Sequence, residues 1–172
     1  MKKRLCQLLC FSAFLLAAEE QSWFYDLNSK AIRAAVKDKE AYASVSDAVL
    51  TIQSAPGRKY PWSWRTIALP LDFITRKQGK EFSFRISGEL KLLDVERGKK
   101  SEGVILLLRF FQDGKPLWRF FSGFPRYGTT EWLPFSGVVE LPENAEKPEL
   151  LCGLSKVSGT FGIRNLIITE ME

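Results

Sequence analysis

The chain has 172 residues, with 25 Lys and Arg against 20 Asp and Glu, no histidine and three cysteines. The first eighteen residues hold three of the basic groups and none of the acidic ones, so the remainder carries a net charge of +2 and shows no run of five like charges. That balance argues against nucleic-acid binding, which needs a clustered basic face to neutralise phosphates. The missing imidazole argues against zinc enzymes and Ser-His-Asp hydrolases.

Lys2, Lys3 and Arg4 precede an apolar run from Leu5 to Ala18, with small residues at Ala17 and Ala18. This is the pattern of an export signal, and the run falls short of the roughly 20 residues that a spanning helix requires. The expectation is a signal peptide over residues 1–18 and a single domain over 19–172, in a secreted or periplasmic protein. Cleavage would leave Cys152 as the sole cysteine, inside the apolar stretch Leu150 to Leu154, where a thiol reads as a small core residue.

Ser29 to Ala43 admits two readings. Ile32, Ala35, Val36, Lys39 and Ala43 share a helical face after an Asn28-Ser29 cap, yet a strand over Ala31 to Val36 followed by a loop fits the rest of the chain, and that is the reading adopted. From Asp47 onward, short apolar segments alternate with turn residues, as in an all-β sandwich or barrel. Strands are predicted over Ala48–Ser54, Thr66–Pro70, Lys80–Leu92, Val104–Phe111, Leu117–Phe124, Trp132–Leu141, Leu150–Leu154 and Phe161–Thr169. Phe82, Phe84 and Ile86 alternate with Ser83, Arg85 and Ser87, so one face of that strand is buried. Val104 to Phe111 is apolar on both faces apart from Arg109, which places it mid-sheet. Asp113-Gly114 between two apolar runs predicts a tight hairpin.

Five motifs, in order, carry a family resemblance: Gly79-Lys80-Glu81-Phe82, Leu107 to Gly114, Gly128-Thr129-Thr130-Glu131-Trp132, Leu141 to Ala145, and Gly159 to Leu166. Across roughly residues 30 to 170 the chain resembles the galactose-binding-like jelly roll, in particular the carbohydrate-binding modules attached to xylanases and glucanases. The resemblance implies a two-sheet antiparallel β-sandwich of about nine strands that binds glycan without catalysing a reaction. That family commonly holds a structural calcium through an aspartate where this chain has Arg164. A cation there would repel the ion, so neither calcium nor any other cofactor or metal is expected.

Sugars are held in water by stacking their C–H faces on aromatic rings while polar side chains bond the hydroxyls. Tyr60, Trp62 and Trp64, interleaved with Arg65, form the densest aromatic cluster. Trp62 and Trp64 are two apart, so an extended segment would aim both rings the same way, either as a platform or as a cap on one end of the core. Arg126 and Tyr127 form a second candidate on a loop. Trp118 and Phe120 read as core, and Trp132 as the packing tryptophan of the resemblance. The leading expectation is a monomeric, non-catalytic glycan binder at Tyr60, Trp62, Trp64, Arg65, Arg126 and Tyr127. The rival is a structural or protein-interaction module of the cell envelope. A lyase or hydrolase ranks third, since Glu89, Asp113, Glu131 and Glu140 read as turn or wetted strand positions rather than as a paired catalytic set.

Overall fold

Alternation of side chains decides this fold. A computed structural model describes residues 22–37, 39, 42–54, 64–71, 82–99 and 102–171, with backbone alone at 64 and 82. Among the described residues, ten strands and one helix run in the order β1 Ser22–Phe24, α1 Lys30–Lys37, β2 Ala43–Ser46, β3 Val49–Ser54, β4 Trp64–Pro70, β5 Phe82–Leu93, β6 Gly103–Gln112, β7 Lys115–Phe120, β8 Leu133–Leu141, β9 Glu146–Ser155 and β10 Gly159–Met171.

The strands form two antiparallel sheets. One has the order β2-β3-β10-β5-β8, with β1 continuing beside β3 along the same edge of β10. The other has the order β4-β9-β6-β7. Every connection from β3 to β10 crosses between sheets except the β6–β7 hairpin, which gives the two interlocked Greek keys of a jelly roll. The sandwich and its topology are therefore those expected.

Phe84, Ile86, Leu90 and Leu92 of β5 and Phe161, Ile163, Leu166 and Ile168 of β10 point inward. They meet Val104, Leu106, Leu108 and Phe110 of β6 and Leu150, Cys152 and Leu154 of β9. Fully burying each large apolar side chain contributes about 1.5–3 kcal/mol, and the facing sheets lie about 10 Å apart. Burial pushes the Cys152 thiol up to about 12, and its Sγ donates to the Ile67 carbonyl at 3.8 Å. The core reading of this cysteine stands. Asp113 (φ 51°) and Gly114 (φ 72°) turn the chain between Gln112 and Lys115, which pair.

Three sequence expectations need correction. Ala31 to Val36 is helical, not a strand: Ile32 and Val36, one turn apart, are the buried residues of α1, and Ser29 Oγ accepts from the Ile32 N–H at 3.4 Å. The returning hairpin strand stops at Phe120, not Phe124; beyond it Phe121 N–H bonds the Leu106 carbonyl and the chain leaves the ladder. Ser22–Phe24 and Ala43–Ser46 are strands too short to show an apolar period.

Gly153 is required by close approach: a Cβ there would lie 2.0 Å from the Arg65 carbonyl oxygen of the neighbouring strand. Gly114 faces open space. Gly153→Ala is expected to destabilise by more than about 3 kcal/mol and Gly114→Ala by only about 1 kcal/mol, measured by urea denaturation.

Candidate functional site

Because inward positions are committed to the core, chemistry is left to the outer faces. On the outer face of the four-stranded sheet, one row across the strands reads Pro70, Glu149, Arg109 and Trp118, and the next reads Ala68, Leu151, Leu107 and Phe120. Adjacent strands are about 4.8 Å apart, so Trp118 stands beside Arg109 and about 10 Å from Glu149.

Arg109 Nε donates to Glu149 Oε2 at 2.9 Å, and Nη2 donates to the same oxygen. These are the lone charges within the central stretches of β6 and β9, and the ladder sets them face to face. Both are partly open to solvent, 33% and 24% exposed. A pair in that setting adds at most about 1 kcal/mol to stability, leaving its donors and acceptors suited to exchange with a ligand's hydroxyls. Trp118 is 47% and Phe120 67% exposed. They share a face two residues apart, about 6.8 Å along the strand. Ile105, Leu107 and Leu151 form a small buried cluster beside them on the same face, with Ala68 packed alongside.

Of the residues singled out from sequence, Tyr60 and Trp62 lie outside the described residues, as do the side chain of Trp64 and the signal segment. The Trp64 backbone opens β4 opposite Ser155. Arg65 follows it in register with Leu154, and its guanidinium lies 4.6 Å from the Tyr42 ring centre. Arg126 sits at the far side of the same sheet, its carbonyl accepting from Val104 N–H at 2.9 Å and its Nε donating to the Val104 carbonyl at 3.2 Å. Tyr127 is half exposed, with Arg97 5.0 Å from its ring centre. Arg126 and Tyr127 are thus together, while the Leu154 and Val104 strands separate them from Arg65, about 14 Å of backbone spacing.

Sequence reasoning missed Trp118 and Phe120 as exposed residues. The signal was present in Lys115-Pro116-Leu117-Trp118-Arg119-Phe120, where Leu117 is the sole inward apolar side chain.

The opposite outer face holds a different cluster. Trp132 covers Gly162, its ring 3.2 Å from where a Cβ would stand, and the Arg164 guanidinium lies 4.2 Å from a Trp132 ring centre. Arg164 Nε donates to Glu89 Oε2 at 2.8 Å and Asn165 Nδ2 donates to the same oxygen at 2.6 Å. Trp132 is therefore a packing residue. Among the described residues no group of three or more Asp, Glu or Cys is gathered as a metal would need. Asp113 accepts from Asn144 at 3.3 Å, and Glu131 pairs with Lys91 at 3.1 Å.

No known protein-family profile matches this chain, and no curated protein does. Solved structures do. A family 4 carbohydrate-binding module is 15% identical over 75% of this chain and 75% of its own, with a TM-score of 0.48. The C-terminal family 22 carbohydrate binding module of Clostridium thermocellum Xyn10B is 12% identical over 90% of this chain and 82% of its own, at 0.49. A xylan-binding domain from Paenibacillus barcinonensis is 13% identical over 88% and 94%, at 0.48. These are carbohydrate-binding modules, the class of domain that the five sequence motifs resemble.

The Arg164 and Asn165 hydrogen bonds hold the Glu89 carboxyl below its ordinary value of 4.5. A depressed carboxylate contributes stability that is present above its unfolded value and lost as pH falls through the folded one. Wild-type denaturation midpoints should therefore fall as pH is lowered below the ordinary carboxylate value of 4.5, and Glu89→Gln, already less stable at neutral pH, should show a shallower fall.

Proposed function

We propose that this chain is an exported, non-catalytic glycan-binding module whose ligand lies on the outer face of the four-stranded sheet. The observation that carries the reading is Trp118, half exposed beside the solvent-facing Arg109–Glu149 pair. An indole ring gives a pyranose a flat apolar surface to stack on. A guanidinium and a carboxylate within about 10 Å of it supply donors and acceptors for hydroxyls. Phe120 extends the apolar strip along the strand.

The arrangement suits binding rather than turnover. Glu149 is tied to Arg109 by two hydrogen bonds, and the nearby Glu146, opposite Phe111 on the same strand, is exposed, so the two carboxylates do not flank a cleft as those of a glycoside hydrolase do. Tyr60, Trp62 and Trp64 belong to the proposal on their sequence pattern alone, and Tyr127 with Arg126 as a polar flank at the β7 side of the sheet. Export rests on the basic and apolar pattern of residues 1–18.

Affinity electrophoresis through gels containing soluble polysaccharides, backed by a glycan array, tests the reading. Retardation should be seen on at least one polysaccharide. Trp118→Ala should weaken it about tenfold, the loss of roughly 1.4 kcal/mol of stacking, and Glu149→Gln should weaken it while leaving the melting temperature near that of the wild type. Absence of retardation on every polysaccharide, together with a defined co-purifying protein, would replace this reading with that of a protein-interaction module.

A further inference from the structure

Terminal strands leave a row of main-chain donors and acceptors open, and proteins usually blunt such edges with charge, proline, bulges or brevity. Here β2 has four residues, β4 ends on Pro70 and carries Arg65, and β7 carries Lys115, Pro116 and Arg119. The edge of β8 is different. It pairs with β5 from Leu133 to Leu141 without a register shift, and among the described residues nothing bonds its other edge. Phe135 to Val139 contains neither charge nor proline. A groove of about 530 Å³ runs beside its second half, lined by Val138, Val139 and Glu140 on one side and Arg119, Phe120 and Phe121 on the other.

We propose that this edge pairs with the same edge of a second copy of the chain, antiparallel and symmetric about Val138. The occupant is chosen by self-complementarity, which a two-fold contact demands. In that register Val138 faces its own counterpart, covering a side chain that is 55% exposed. Ser136 faces Glu140 of the second copy, a hydroxyl donor against a carboxylate, and no like charges stand opposite one another. Gly137 faces Val139 and Phe135 faces Leu141, apolar against apolar on the inward side. Pro134 faces Pro142, so residues that cannot donate to a ladder close the pairing at both ends. Shifting the register by one residue moves every outward side chain against an inward one, and shifting it by two sets the exposed Val138 against Ser136 or Glu140 instead of against itself. The six-stranded sheets of the two copies become continuous, while Trp118 and the Arg109–Glu149 pair remain on outer faces; Phe120 alone belongs both to the groove and to the apolar strip, and the test below reads mass rather than ligand.

The test is sedimentation equilibrium of the full chain with Cys6 and Cys10 replaced by Ser. Wild type should approach twice its chain mass of 19.6 kDa as concentration rises. Val138→Lys places like charges directly opposite each other on an exposed position, and should remove the dimer without lowering the melting temperature. Val138→Cys should cross-link under mild oxidation, because paired residues of antiparallel strands stand about 4.5–5.5 Å apart between Cα atoms, within reach of a disulfide. A wild type that stays monomeric at every soluble concentration overturns the proposal. So does a dimer that Val138→Lys leaves intact and Val138→Cys does not cross-link.

Discussion

Everything in this molecule depends on two sheets burying one face each against the other. Phe84 and Phe161 from one layer and Phe110 from the other are fully buried between them, and strand period then fixes the direction of every neighbour. Once Leu108 and Phe110 face the core, Arg109 must face out. Once Leu150 and Cys152 face in, Glu149 and Leu151 must face out. The ion pair beside Trp118 is thus a consequence of packing: Arg109, the one charge of β6, and Glu149 of β9 have no inward option, and the ladder register aligns them.

The same constraint explains why the two outer faces differ. On the six-stranded sheet, the bulge between Arg164 and Ile167 and the positive φ of Asn165 (52°) bring an arginine, an asparagine and Glu89 into a closed set of hydrogen bonds under Trp132. Those polar groups satisfy one another. On the four-stranded sheet Trp118 and Phe120 rise from a strand that, among the described residues, has no neighbour beyond it, and their rings are wetted. One tryptophan is spent on packing and the other is left available, although both sit on strands or loops of similar composition.

Much of the architecture was legible in the chain. Clean alternation at Phe82 to Ser87, the double-sided apolar run at Val104 and the Asp113-Gly114 turn each map onto the observed strand, central strand and hairpin, because local pattern and tertiary burial agree there. The helix was ambiguous because Ile32 and Val36 provide one turn's spacing over just eight residues, too little to outweigh a strand reading. Trp118 and Phe120 were misjudged for a different reason. Periodicity shows that two side chains share a face, but whether that face is covered depends on which strand ends the sheet, and order within a sheet is not written in local pattern. Arg109 and Glu149, forty residues apart, become a pair through the same long-range register. The first aromatic cluster, Tyr60 to Trp64, remains part of the proposal on sequence grounds.

On the proposed reading, the indole of Trp118 is a ligand surface and that of Trp132 is not. Indole N–H resonances of the ¹⁵N-labelled protein, followed as neutral and acidic oligosaccharides are added, test it most directly. The Trp118 signal should move with saturation while the Trp132 signal, packed against Arg164 and Gly162, stays in place. Movement of Trp132 with Trp118 unaffected, or no movement of either ring at any oligosaccharide concentration, would contradict it.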